Sequence, residues 1–128
     1  MCAKGGNMRS KWITHKGERI FFADLSGLGR HPDAFREELM EAETVAYQQP
    51  EGSLLVLTDV RDTVLSSEVM DFAKESAARV TKYIRKEAII GMAGVRQVLL
   101  DAVSRFSGRH FATFDNVEAA KDWLVSEN

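Results

Sequence analysis

The sequence predicts an α/β domain in which a mixed, mostly parallel β-sheet is flanked by four helices. Short apolar runs of strand length alternate with longer segments whose apolar residues recur about every 3.6 positions. The first two strand candidates adjoin across a short turn, whereas the later ones are separated by single helices. We therefore expect the order β-β-α-β-α-β-α-β-α, with an antiparallel hairpin first and parallel strands joined by right-handed crossovers after it.

Five segments have the length and composition of strands: residues 11–16, 19–25, 54–60, 88–92 and 110–114. Gly17 and Glu18 separate the first two and predict the turn of a hairpin. The third and fourth segments are continuous apolar runs, which is typical of parallel strands that helices cover on both faces. The fifth is shorter and closes the predicted sheet.

Four segments show helical spacing of apolar residues: Phe35 to Ala46, Val69 to Ile84, Val95 to Phe106 and Val117 to Leu124. Pro32 stands where the first turn of a helix tolerates proline, and Gly108 follows the end of the third helix. Asp115 precedes Glu118 by three residues, a spacing that resembles a capping box. These signals agree with the periodicity.

Composition places the chain among ordinary globular proteins of 128 residues, and we expect one domain over residues 11–128 after a flexible arm at 1–10. The formal net charge of -2 gives no reason to expect a nucleic-acid partner. Cys2 is the one cysteine, so no intrachain disulfide is possible. No apolar run is long enough for a signal peptide or a membrane span, and we expect a cytoplasmic location without membrane association.

Ligands of open α/β sheets collect at the carboxyl ends of the strands, here residues 24–31, 59–67 and 92–95. The first loop contains Gly27 and Gly29 but neither the third glycine of a dinucleotide fingerprint nor the lysine of a phosphate loop, so a turn is favoured. Asp59 and Asp62 are candidates for aspartyl phosphorylation or for a magnesium site, but the favoured interpretation is that both are solvated loop residues. With the three histidines scattered, we predict no catalytic residue, metal or cofactor.

Two serines stand directly before the helix that contains Val69. Either Ser66 or Ser67 can accept a hydrogen bond from a free backbone amide of the first turn, and capping is the favoured interpretation. A hydroxyl at this place also suits a phosphorylation switch. The amino end of the helix would stabilise the charge of a phosphate, and the phosphate would add negative charge to a contact surface. The two roles are compatible.

Three stretches carry a family resemblance: Leu54-Leu55-Val56-Leu57-Thr58-Asp59-Val60, Ala88-Ile89-Ile90-Gly91-Met92, and Phe111-Ala112-Thr113-Phe114-Asp115 running into Glu118-Ala119-Ala120-Lys121-Asp122-Trp123-Leu124. They are similar to the stage II sporulation AA-like branch of the STAS proteins, relatives of the anti-sigma factor antagonists. The resemblance covers nearly the whole chain from Lys11 onward and consists of packing motifs. It implies a mixed sheet flanked by helices and a bacterial, non-enzymatic switch that binds a regulatory protein.

Better-known STAS members carry an Asp-Ser-Ser-Gly-like motif with a phosphorylated serine, and the corresponding stretch here is Leu65-Ser66-Ser67-Glu68. The resemblance therefore makes Ser66 and Ser67 candidate switch residues. The leading hypothesis is a protein-interaction module whose partner is contacted by the loop before this helix, through Arg61, Asp62, Thr63, Leu65 and Glu68.

The alternative hypothesis is a carrier or sensor that binds a small apolar or lipid-like molecule between the sheet and the helices. It is motivated by Trp12, Phe21, Phe22 and Phe35, which exceed what the predicted core needs. The fold implied by the resemblance is also similar to that of lipid-carrying domains. A homodimer is compatible with either hypothesis, because homodimers are common.

Overall fold

The computed structural model describes residues 9–64, 66–91 and 112–126. These residues form five strands, three α-helices and one 3-10 turn. In chain order the elements are β1 (Lys11–His15), β2 (Glu18–Asp24), α1 (Pro32–Tyr47), β3 (Leu54–Asp59), α2 (Ser67–Val80), the 3-10 turn (Thr81–Tyr83), β4 (Ile84–Ile90), β5 (Ala112–Phe114) and α3 (Val117–Val125). The predicted α/β alternation is confirmed, and the helix predicted over Val95 to Phe106 lies outside the described residues.

The chain opens with the predicted antiparallel hairpin. Trp12 of β1 pairs with Phe21 of β2, and the two strands are joined at Lys16 and Gly17. The turn therefore lies one residue earlier than the predicted Gly17 and Glu18, because Glu18 already pairs with His15. These two residues have φ values of 52° and 83°, so both turn positions lie in the left-handed region. A two-residue hairpin turn of type I′ requires this conformation twice in succession, and glycine adopts it without steric cost.

The five strands form one sheet in the order β1-β2-β3-β4-β5. The pair β1/β2 is antiparallel, and the other three neighbouring pairs are parallel. Asp24 is in register with Asp59, and Asp59 is in register with Ile90. The last residues of β2, β3 and β4 therefore meet along one edge of the sheet, which we call the carboxyl edge.

Each face of the sheet is covered by helix. On one face Ile20, Leu57 and Ile90 pack with Leu124 of α3, and all four are fully buried. On the opposite face Leu25 and Ile89 pack with Phe35 of α1 and Val69 of α2. Side chains alternate between the faces of a strand, so these two layers account for the uninterrupted burial of β3 from Leu54 to Asp59.

Strand β4 begins four residues before the predicted position. The prediction placed Ile84 on the stripe of the preceding helix, but α2 ends at Val80 and Ile84 is the first residue of β4, in register with Leu54. The charged residues at 85–87 concealed the strand. Lys86 fits there because its ammonium donates to the carbonyl oxygens of Trp123 and Ser126, both at 2.9 Å, at the end of α3. Burial lowers the pKa of Lys86, with a further contribution from neighbouring Arg85.

The helix ends confirm one predicted signal and correct another. Pro32 occupies the first turn of α1 as predicted. The residue that caps α3 is Asn116, whose side chain accepts a hydrogen bond from the backbone amide of Ala119 at 2.8 Å. The capping box predicted from Asp115 and Glu118 was therefore wrong by one position. Gly108 lies outside the described residues.

The aromatic residues that motivated the ligand hypothesis belong to the core. Phe21 and Phe35 are 2% and 1% exposed, and Phe22 packs against the cluster beneath α3. Trp12 makes an edge contact with Phe21, with ring centroids 5.3 Å apart. All four are explained by packing, so their number gives no reason to expect a ligand.

Candidate functional site: a central cavity and the loops at the carboxyl edge

Small residues face one another in the middle of the layer between the sheet and the helices α1 and α2. The sheet contributes Ala23 and Thr58, and the helices contribute Ala42, Ala73, Ser76 and Ala77. Larger apolar side chains, among them Phe35, Leu39 and Met70, complete the lining. A cavity of about 130 Å³ lies there. We call it the central cavity.

The cavity separates two packed clusters on this face. The cluster nearer the carboxyl edge comprises Leu25, Phe35, Val60, Val69 and Ile89. The other cluster comprises Phe21, Ala23, Ala46, Leu54, Val56 and Val80. Most members of both clusters also line the cavity. The apolar layer is therefore interrupted at its centre, where a single continuous core would otherwise form.

A polar pair stands on the sheet wall of the cavity. Thr58 of β3 and Glu87 of β4 are 8% and 7% exposed, and the Thr58 hydroxyl donates a 2.6 Å hydrogen bond to Oε2 of Glu87. Val56 is in register with Glu87, and Thr58 follows Val56 by two residues. Thr58 and Glu87 are therefore diagonal neighbours on the same face of adjacent strands. The strand period places an acidic side chain among apolar ones.

A second acidic residue ties the two helices together at the cavity wall. Glu43 of α1 accepts two hydrogen bonds from the guanidinium of Arg79 on α2, at 3.0 and 2.8 Å, and one from the hydroxyl of Tyr47 at 3.2 Å. Burial alone would raise the pKa of Glu43, but hydrogen bonds from Arg79, Ser76 and Tyr47 outweigh it, and the pKa is lowered. The hydrogen bond to Glu43 in turn raises the pKa of Arg79. This charge is neutralised within the protein.

The loops after β2 and β3 form the second region of interest, at the carboxyl edge. Asp59, whose side chain is 4% exposed, accepts hydrogen bonds from Nε and Nη2 of Arg61 at 3.1 and 2.9 Å. Those bonds raise the pKa of Arg61. Gly91 lies against this loop, so that a Cβ atom at this position would be 2.6 Å from the backbone nitrogen of Arg61. Its φ of +99° also favours glycine. Arg61 is half exposed, but its guanidinium is oriented by Asp59.

Thr63 joins the two loops from the inside. It is 4% exposed, its hydroxyl donates to the carbonyl of Leu25 at 2.9 Å, and it accepts from the amide of Gly27 at 3.0 Å. Of the residues predicted to contact a partner, Thr63 is thus buried and holds the loops together. Arg61, Asp62 and Glu68 are exposed, and Leu65 lies outside the described residues.

The two candidate switch serines have different environments. Ser66 caps α2, since its side-chain oxygen accepts from the backbone amide of Val69 at 3.2 Å. Ser67 is the first residue of α2 and is exposed to solvent. Val64, 47% exposed, lies on the same loop. The structure therefore assigns the capping role to Ser66 and leaves the Ser67 hydroxyl accessible.

The aspartates at the carboxyl edge are engaged by neighbouring groups. Asp59 is held by Arg61, and Asp24 accepts from the backbone amide and the hydroxyl of Ser26 at 3.1 and 2.7 Å. Within residues 9–64, 66–91 and 112–126, no group of three or more His, Cys, Asp or Glu side chains could hold a metal ion.

Sequence reasoning missed Thr58, Glu87 and Glu43. Thr58 lies within a strand predicted as an apolar run, and Glu87 lies in a charged run before the strand predicted from Ala88. One signal could have found Glu87: extending the period of two backwards from Ile89 places it on the same face of the sheet. Glu43 follows the helical spacing of α1 from Leu39, which places it toward the buried side.

Comparison with known proteins finds no match to this chain among family models, curated proteins or solved structures. Among the helices that the structure describes, none has the length and apolar character needed to cross a membrane.

Proposed function

We propose that this chain is a non-enzymatic carrier or sensor that binds a small, largely apolar molecule in the central cavity. The cavity of about 130 Å³ between the sheet and α1/α2 is the observation that carries the proposal. Apolar cavities of about 150 Å³ in other proteins stay dry and bind benzene. A molecule of about six or seven non-hydrogen atoms, on the order of benzene or toluene, matches this space.

An empty cavity of this size lowers the stability of a domain considerably. At about 24 cal/mol per Å³ the 130 Å³ correspond to about 3 kcal/mol. Domains of this kind have total stabilities of about 5–15 kcal/mol, so the loss is a large share. An occupant would restore the missing contacts, and its binding would raise the stability of the folded state.

The proposal is tested with toluene as the probe. We expect saturating toluene to raise the thermal unfolding midpoint of the wild-type chain, and native mass spectrometry after mild purification to show a copurified small molecule. The Ala77→Leu variant, which fills the cavity from α2, should lose the response to toluene. The proposal is refuted if the wild type shows no toluene response and no copurified mass. It is also refuted if the Ala77→Leu variant binds toluene as well as the wild type does.

A second function is proposed for the carboxyl edge: contact with a regulatory protein, as the resemblance to the STAS proteins implies. The difference between the two serines favours it. Ser66 is occupied as a cap, whereas Ser67 presents its hydroxyl at the surface together with Arg61, Asp62 and Glu68. A phosphate on Ser67 would gain from the amino end of α2 and would change the charge of this surface.

Aspartate substitutions separate folding from partner binding at this surface. Aspartate is a good capping residue and is also favourable in the first turn, so both Ser66→Asp and Ser67→Asp should fold. We expect Ser67→Asp to lose a partner that wild type retains in a pull-down, with Thr14→Asp, at an exposed position of β1, as the matched control. The surface assignment fails if Ser67→Asp captures the same proteins as the control.

A further inference from the structure

We infer that a ligand enters and leaves the central cavity between α1 and α2, and that the ion pair of Glu43 with Arg79 is the gate that closes this route. The inference rests on the ligand binding proposed above and adds how access to that site is controlled. It follows from where the cavity wall is thin and from what holds that part of the wall in place.

A groove lies on the outer surface of the two helices. Met40 of α1 and Phe72 and Arg79 of α2 are among the residues that line it. Leu39 and Glu43 line this groove and also line the central cavity. At these two residues the wall between the cavity and the surface is therefore one side chain thick. We call this part of the contact between α1 and α2 the seam.

Other sides of the cavity are closed by contacts that cannot part without unfolding. The sheet side is formed by β2, β3 and β4, which are paired along their lengths. Toward the two ends of the layer lie the two apolar clusters that contain Phe35 and Phe21, which are 1% and 2% exposed. Opening either kind of contact would break strand pairing or expose buried apolar surface to water.

The seam is closed by charges, and charges can separate into water. Arg79 donates hydrogen bonds of 3.0 and 2.8 Å to the two carboxylate oxygens of Glu43. The side chain of Arg79 is 48% exposed, whereas that of Glu43 is 9% exposed, so the guanidinium forms the solvent side of the pair. When Arg79 turns into solvent, Glu43 loses its cation, and a carboxylate without a partner is unstable among apolar groups. Glu43 then follows toward water and opens the wall.

Fluorobenzene is the probe for this route, because it has nearly the size of toluene and a fluorine NMR signal. Fluorine exchange NMR with the full chain at neutral pH measures the rates at which the probe enters and leaves. We expect exchange in Arg79→Met to be on the order of tenfold faster than in wild type, the effect of removing a hydrogen bond to a charged group from the closed state. The dissociation constant should change much less, since both rates rise together.

Two further variants separate a gate from a general loss of stability. Lys86→Met removes hydrogen bonds of 2.9 Å to the end of α3 on the opposite face of the sheet, so it weakens the fold without changing the seam. Its exchange rate should equal that of wild type. Arg79→Lys keeps the charge but loses the two-point geometry of the guanidinium. It should fold even if Arg79→Met does not, and its exchange rate should exceed that of wild type by a smaller factor.

The outcomes distinguish this inference from the function on which it rests. If fluorobenzene does not bind the wild-type chain, the proposed ligand binding is refuted and the gate with it. If fluorobenzene binds but exchanges in both Arg79 variants at the wild-type rate, only the gate is wrong. The gate is equally wrong if Lys86→Met accelerates exchange as much as Arg79→Met, because the ligand would then be released by general unfolding.

Discussion

Thr58 donates a 2.6 Å hydrogen bond to Glu87 from one strand to the next, in the layer between the sheet and the helices α1 and α2. A buried acidic group is costly unless hydrogen bonds compensate the loss of water, and the Thr58 hydroxyl supplies one such hydrogen bond. The pair stands beside small residues and forms a polar part of the wall of the central cavity.

Removing the donor should destabilise the fold. Thr58→Val keeps the shape of the side chain but leaves Glu87 without this hydrogen bond, and we expect a loss of about 1–3 kcal/mol in the free energy of unfolding. Urea unfolding at neutral pH measures it. Thr14→Val, at an exposed position of β1, is the matched control and should change stability by less than about 0.5 kcal/mol. Equal effects of the two substitutions would show that the hydrogen bond contributes nothing.

Filling the cavity should stabilise the protein. Ala77 of α2 lines the cavity and is 5% exposed, so Ala77→Leu places apolar atoms in empty space. We expect a gain of about 0.5–2 kcal/mol, the usual range for cavity-filling substitutions. Ala78→Leu, at the exposed neighbouring position, is the control for helix propensity and should be nearly neutral. A loss of stability in Ala77→Leu would indicate overpacking and contradict the cavity.

The contact between α1 and α2 should depend on pH. The pKa of Glu43 is lowered on folding from its ordinary value of 4.5, so the unfolded chain binds this proton more tightly. The stabilisation is therefore complete above about pH 4.5 and is lost as the pH falls through the folded pKa. In Arg79→Met we expect a loss of about 1–3 kcal/mol at pH 7 and a smaller loss of stability on acidification.

Unfolding of wild type and Arg79→Met between about pH 3 and about pH 7 measures this dependence. The lower pH lies below the ordinary pKa of a glutamate and the higher pH lies well above it. Lys82→Met is the matched control, because its pair with Glu51 is exposed on both sides and such pairs contribute little. Parallel stability curves for wild type and Arg79→Met would show that Glu43 does not gain its low pKa from Arg79.

The two serines before α2 should differ in their effect on stability. Ser66→Ala removes the acceptor for the Val69 amide, and we expect a loss of about 1 kcal/mol. Ser67→Ala changes an exposed side chain and should stay within about 0.5 kcal/mol of wild type. Chemical denaturation of both variants under one condition provides the comparison, and a larger loss in Ser67→Ala would reverse the assignment of the cap.

Much of the fold could be predicted because its signals are local. The hairpin, the apolar strand β3 and the stripe of α2 each express a period of two or about 3.6 within a few neighbouring residues. The errors arose where local pattern and long-range contact disagree. Ile84 continues the helical stripe of α2, but pairing with Leu54 places it in β4. The choice between the two serines likewise required the backbone geometry at Ser66.

Periodicity along the chain was enough to predict an α/β sheet with helices packed against it, since burying an apolar stripe imposes that arrangement. The central cavity has no such local signature. It depends on Ala23, Thr58, Ala73 and Ala77, small residues from β2, β3 and α2 that come together when these three elements pack. Strand register and helix position decide whether alanines opposite one another leave a space. They also decide whether a glutamate among them faces solvent or that space. Both are properties of the assembled layers.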